Sequence, residues 1–255
     1  MPSQKTTKRI KATNMDKAMF KKDTIIIAII VASCVAPQIA AAQQNQNGSD
    51  FYFTGALGTS ARGSFGGSLL AGSATDEFHG TFDPATLVRI GAGYNVFSGL
   101  RAEVELSYRQ FAIADGFIAE GFIADDGGNK FDSDGDATTT TLMLNGLYDI
   151  DLPKSTFDLY VGGGLGIASV DVDFKRGPDS LDFQLVEGSF TALAFQLRLG
   201  AEQELANGMY VFADYTYLYV TEAELDGFND FFGSVEQVFS PMDSHEIAIG
   251  VRVSF

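Results

Sequence analysis

The sequence predicts an all-β chain of eight antiparallel strands closed into a membrane-spanning barrel. Three observations carry this. The carboxyl end, Ser244 to Phe255, alternates apolar and polar residues and stops on an aromatic one. Ile247, Ile249, Val251, Val253 and Phe255 then share one strand face, with Glu246, Ala248, Gly250, Arg252 and Ser254 on the other. A terminal edge strand in a water-soluble sheet needs protection, whereas the last strand of a closed barrel pairs with the first and leaves no edge. Secondly, further stretches upstream repeat the two-residue period. Thirdly, the links between these stretches are alternately short and long.

The amino end reads as a targeting segment over residues 1–42. Basic residues from Lys5 to Lys22 precede an apolar run, Thr24 to Ser33, and Ala40-Ala41-Ala42 supplies a small-residue cleavage site before Gln43. Met1, Met15 and Met19 are alternative starts. An uncleaved helix from Thr24 to Ala42 is barely long enough to span a membrane and is interrupted by Pro37. Val31-Ala32-Ser33-Cys34 resembles a lipoprotein processing site. The Ala-rich site follows it, and a barrel needs no lipid anchor, so cleavage after Ala42, with Ala40 and Ala42 as the small residues of the site, is the expectation. Residues 43–49 then form a short amino-terminal segment, and residues 50–255 the barrel. Loss of Cys34 with the leader leaves no cysteine for a disulfide.

Phe51 to Gly58 is the first expected strand and Ala85 to Asn95 the second. In the third, Leu100, Ala102, Val104, Leu106 and Tyr108 oppose Arg101, Glu103, Glu105, Ser107 and Arg109. Thr138 to Tyr148 and Asp158 to Ser169 follow, the latter setting Leu159, Val161, Leu165 and Ile167 against Tyr160 and a run of glycines. In Thr191 to Glu204, Leu193, Phe195, Leu197 and Leu199 face away from Ala194, Gln196, Arg198, Glu202 and Glu204. Tyr210 to Val220 and the terminal stretch complete the eight. Short links fall at Val96–Gly99, Ile150–Ser155 and Ala206–Met209, with Ser98-Gly99, Pro153 and Asn207-Gly208 as turn residues. Long polar stretches occupy about 59–84, 112–137, 170–189 and 221–243.

Charge narrows the class. The leader holds 7 basic and 2 acidic residues, so of 17 and 33 the remainder keeps 10 and 31. That acidity disfavours nucleic acid, whose phosphates need Lys and Arg. No apolar run of about 18 residues follows Ala42, which argues against a helical membrane protein. A water-soluble barrel of the lipocalin type is the structural rival, but it does not account for the turn and loop asymmetry. Arg89, Arg101, Glu103, Glu105, Arg109, Asp158, Arg198, Glu202, Glu204, Asp214, Glu246 and Arg252 all fall on the more polar strand faces. Tyr94, Tyr108, Tyr148, Tyr210 and Tyr219 lie near strand ends and suit interfacial girdles.

Phe51-Tyr52-Phe53-Thr54-Gly55-Ala56-Leu57-Gly58, Leu100-Arg101-Ala102-Glu103-Val104-Glu105 and Leu159-Tyr160-Val161-Gly162-Gly163-Gly164-Leu165-Gly166 resemble the outer-membrane β-barrel domain family of Gram-negative bacteria. OmpA-type transmembrane domains and opacity-type surface proteins belong to that family, and the resemblance covers about residues 50 to 255. It implies the outer membrane as the location, periplasmic short turns, four extracellular long loops and both chain ends periplasmic. It also implies that Ile249, Val251, Val253 and the terminal Phe255 are an assembly signal, and that the partners are outer-membrane lipid, lipopolysaccharide and the barrel assembly machinery. No wall-anchoring domain follows the last strand, so that role is not expected.

An eight-stranded barrel is only wide enough for its own side chains. Arg89, Arg101, Glu103, Glu105, Arg109, Arg198, Glu202, Glu246 and Arg252 are therefore expected to pair into a salt-bridged plug, because lone charges there would be costly. The four long stretches hold 21 of the 31 acidic residues and 4 basic ones, which concentrates the negative field outside. The expected function is structural, with surface contact through these loops. The alternatives are a small-solute pore with cation preference and an adhesin acting through the loops. A monomer is expected, with any surface ligand unidentified.

Other constellations are weaker. Asp132, Asp134 and Asp136 resemble the start of a calcium loop, but no closing Glu follows at the required spacing. Gly116-Phe117-Ile118-Ala119-Glu120 is repeated as Gly121-Phe122-Ile123-Ala124-Asp125, apolar residues for local packing or contact. Ser244-His245-Glu246 is triad-like by letter only, since neighbours on a strand point to opposite faces. No cofactor, metal or enzymatic activity is expected.

Overall fold

The computed structural model describes residues 50–61, 64–71, 74–81, 83–112, 117–120, 130–131, 133–176, 183–229 and 233–255. The expected leader with Cys34, Ala40 and Ala42, the segment 43–49 and Asp132 lie outside these. The chain runs through β1 (Phe51–Ser60), β2 (Ser64–Ala71), β3 (Ala74–Thr81), β4 (Thr86–Phe97), β5 (Leu100–Ala112), β6 (Phe117–Glu120) and β7 (Lys130–Phe131). It continues through β8 (Ser133–Ile150), β9 (Asp158–Arg176), β10 (Phe183–Ala206), β11 (Met209–Val220), β12 (Ala223–Asn229), β13 (Gly233–Phe239) and β14 (Met242–Ser254).

Eight of these close a ring. Antiparallel pairing runs β1–β4–β5–β8–β9–β10–β11–β14 and returns from β14 to β1, where Gly55 lies opposite Val251 and Leu57 opposite Ile249. Closure satisfies the backbone of every wall strand, which a lipid-exposed sheet requires. At one end the links are tight. Gly99 and Gly208 take φ of 81° and 76°, a left-handed conformation that costs glycine nothing, and Ser98-Gly99 and Asn207-Gly208 thereby turn the chain.

At the other end the long connections carry paired strands of their own among the described residues. β8, β9 and β10 run to 18, 19 and 24 residues, where about 9–11 suffice to cross a membrane. Their upper parts keep pairing, Thr138 with Asp171 and Asp171 with Ser189. Glu187 of β10 then pairs with Phe228, and the ladder continues β12–β13–β2–β3–β6–β7. Backbone groups that a loop would leave to water are paired here instead.

Side-chain polarity inverts along these strands. In the lower wall Leu144, Leu165, Leu197, Leu57 and Ile249 face outward at 57–65% exposure. Above it the outward residues are polar, including Thr191 and Asp171, both exposed. Inward, the order is opposite: charged residues line the lower lumen, while Leu87, Ala137, Val170, Val172, Phe190, Leu218 and Val220 are buried at the top. The charged residues therefore occupy the lower lumen, with an apolar layer above them. Below, the barrel is built for lipid outside; above, it has the apolar interior of a water-soluble β-structure.

Candidate functional site

Strand alternation delivers the lumen. In β5 the even positions Ala102, Val104 and Leu106 are exposed, so Arg101, Glu103, Glu105, Ser107 and Arg109 all point inward and are at most 3% exposed. Arg89 comes from β4, Arg198 and Glu202 from β10, Glu246 and Arg252 from β14, each buried. These ten side chains, with Asp214 of β11, assemble into three stacked clusters.

The lowest cluster lies at the short-turn end. Arg101 donates to Glu202 at 3.2 Å and to Asp149 at 2.5 Å, and Arg252 holds both oxygens of Glu202, from Nε at 3.2 Å and from Nη2. Three tyrosine rings wrap it. The Arg252 guanidinium lies 3.7 Å from the Tyr210 ring centroid and 5.5 Å from that of Tyr52, and Arg101 lies 5.1 Å from that of Tyr160. A guanidinium over a ring face keeps charge stabilisation where water is excluded.

The middle cluster is the most branched. Arg89 forks onto Asp214 at 2.6 and 2.7 Å and donates to Thr216 at 3.0 Å. Arg198 donates to Glu103 at 3.1 Å and to Glu105, and Tyr160 donates to Asp214 at 3.0 Å. Gln196 bridges to Asn145 at 2.6 Å. Above, Arg109 forks onto Glu246, with Nη2 at 3.0 Å, and also donates to Ser107 at 2.7 Å. Such forked pairs are strong because both partners are ionised and the geometry is fixed. A residual cavity of about 20 Å³ lies among Thr54, Arg89, Arg101, Glu103, Arg198 and Glu202. It has room for about one water molecule.

The lumen could be that full only because some wall positions carry no side chain. Gly93 lies beneath the Tyr52 ring and Gly200 beneath the Tyr160 ring, where a Cβ would collide. Reading the sequence for charge left Tyr52, Tyr160, Asn145 and Gln196 out of the expected network. The signal was present: a Tyr on the polar face of its strand, paired across the ladder with a Gly, as Tyr52 is with Gly93.

Other expectations fare differently. Asp158 and Glu204 were expected on inward faces but lie exposed at the turn end, where Glu204 accepts from the Gly208 N–H at 3.2 Å. Tyr210 was expected in an interfacial girdle but covers Arg252, whereas Tyr94 and Tyr148 face outward. Phe255 stacks on Phe53 at 5.2 Å and its N–H donates to the Phe51 carbonyl, closing the seam; Val253 beside it is buried, while Ile249 is exposed. Asp134 and Asp136 lie on β8 opposite Lys175 and Asp173, an extended ladder rather than a loop that wraps a cation. Ser244 and Glu246 point inward; His245 points outward, 2.6 Å from the Tyr215 hydroxyl. The three therefore do not converge.

A family model for the outer membrane protein beta-barrel domain matches residues 26–255. Among solved structures, outer membrane protein OprG from Pseudomonas aeruginosa is 15% identical, covering 83% of this chain and 98% of its own, with a TM-score of 0.56. Neisserial surface protein A, from Neisseria, is 18% identical over 82% of this chain and 100% of its own, with a TM-score of 0.46. The outer membrane protease OmpT from Escherichia coli is 9% identical over 83% and 99%, with a TM-score of 0.49. No curated protein matches the sequence.

Proposed function

Because the chain belongs to the outer membrane protein β-barrel domain family and so sits in the bacterial outer membrane, we propose that it is a sealed barrel with a structural and surface-contact role. The single observation that carries this is the filled lumen. Two barriers lie in series: the stacked ion pairs around a cavity of about 20 Å³, and the apolar layer of Leu87, Val170, Phe190 and Leu218 above them. A hydrated ion would have to displace the first and desolvate to pass the second. Surface contact is assigned to the upper wall, where β12–β13 and β2–β3 extend the sheet beyond the lipid-facing belt.

On this reading the chain is no enzyme and acts as a monomer. Its partners are outer-membrane lipid with lipopolysaccharide, the assembly machinery during insertion, and a surface ligand met by the acidic upper strands. Planar bilayers and liposome swelling test the seal. The wild type is expected to give neither a resolved channel nor sugar-driven swelling. Stable unitary conductance, or swelling at the rate of an open porin, overturns the sealed reading and installs the cation-preferring pore.

A further inference from the structure

The lower wall is not evenly convex. Ala102, Gly146, Gly163, Leu197 and Tyr217 are ladder partners in sequence across β5, β8, β9, β10 and β11. They form one outward row, and its first three members are small. Strands lie about 4.8 Å apart, so the row is about 19 Å long, and it runs obliquely because barrel strands are tilted. Leu144, Leu165 and Phe195 stand along one side, 57%, 63% and 47% exposed. The result is an open apolar groove of about 770 Å³ on the lipid side. A Cβ added at Gly146 would meet nothing within 4 Å.

The geometry points to a binding site for one acyl chain of an outer-leaflet lipid. The groove is continuous with the lipid-facing belt, whose contact with membrane follows from the family, so its occupant is drawn from lipid. Its two ends differ. Hydroxyls stand only at the β11 end, on Tyr217 and Tyr219, near the extracellular end of that strand. Tyr217 also lies 5.2 Å from the His245 ring, among polar outward groups. The other end closes on Ala102. An amphiphile therefore enters head-up from the outer leaflet and lays its chain down the row, recovering dispersion contacts that a straight chain over a convex wall would lose.

The test reconstitutes the full chain in liposomes carrying a trace of lipid A with a diazirine on one acyl chain, or of phosphatidylethanolamine with the same label. After photolysis, cross-links are mapped by mass spectrometry. Lipid A label is expected to concentrate severalfold on Leu144, Leu165, Phe195 and Leu197 over Leu57 and Ile249 of the opposite wall. In Gly146→Leu that excess should fall to the opposite-wall level, with heat-modifiable gel migration as in the wild type. Should that variant not fold, Ala102→Leu narrows the same groove and serves instead. Uniform labelling around the wall, or groove labelling unchanged by the filled variants, overturns the site. Preferential labelling by phosphatidylethanolamine overturns the outer-leaflet assignment, and chain-to-chain cross-links across the groove would replace lipid with a second copy.

Discussion

Arg198 stands where three carboxylates converge, donating to Glu103 and Glu105 with Asp214 at 3.9 Å. Removing it leaves buried negative charge without a partner, so Arg198→Ala is expected to cost about 3–5 kcal/mol. Urea unfolding in phospholipid bilayers measures this, and a loss below about 1 kcal/mol would mean the cluster is wetter than drawn. The same loss should not open the barrel, since the apolar layer above is untouched; single-channel recording of the variant checks that. Gly200 makes a different demand. Its missing side chain is the space the Tyr160 ring occupies, and Gly200→Ala should cost about 1–3 kcal/mol by displacing that ring. Near-UV circular dichroism reports the displaced tyrosine, and an unchanged spectrum with unchanged stability would contradict the packing.

For the strands, the two-residue period placed every wall element, because one face of each must meet lipid. Arg101, Glu103, Glu105 and Arg109 were legible as lumen residues for the same reason. Legibility failed where that contrast is absent. β2, β3, β12 and β13 lie beyond the belt, so neither face had to be continuously apolar and their sequences read as loop. Partner choice within the lumen was also hidden, because Arg89 reaches Asp214 across the barrel at a sequence distance no local pattern encodes. The belt boundary itself is testable on β9. Leu165→Arg should cost about 2–4 kcal/mol, while Ser169→Arg, four residues higher, should cost about 0–1 kcal/mol. Equal costs in a bilayer unfolding series would move the boundary. At the seam, Phe255 is held by Phe53 and the Phe51 carbonyl. Deleting it should lower the amount inserted in cells, read by protease shaving and heat-modifiable migration; wild-type insertion of the truncated chain would remove its assembly role.

At the scale of the whole molecule, one continuous sheet serves two solvents. Its lower part buries charge and shows leucine to lipid; its upper part buries valine and shows threonine and aspartate to water. That inversion imposes an order of events. Val170, Val172 and Phe190 are buried above the lipid-facing belt, so their burial is expected to follow the crossing of β9 and β10. Pulsed hydrogen exchange during refolding into liposomes should protect Leu165 and Leu197 before Val172 and Phe190. Simultaneous protection would instead mean that the two halves close together. On that order, burial of the upper valines is the step that marks a completed crossing.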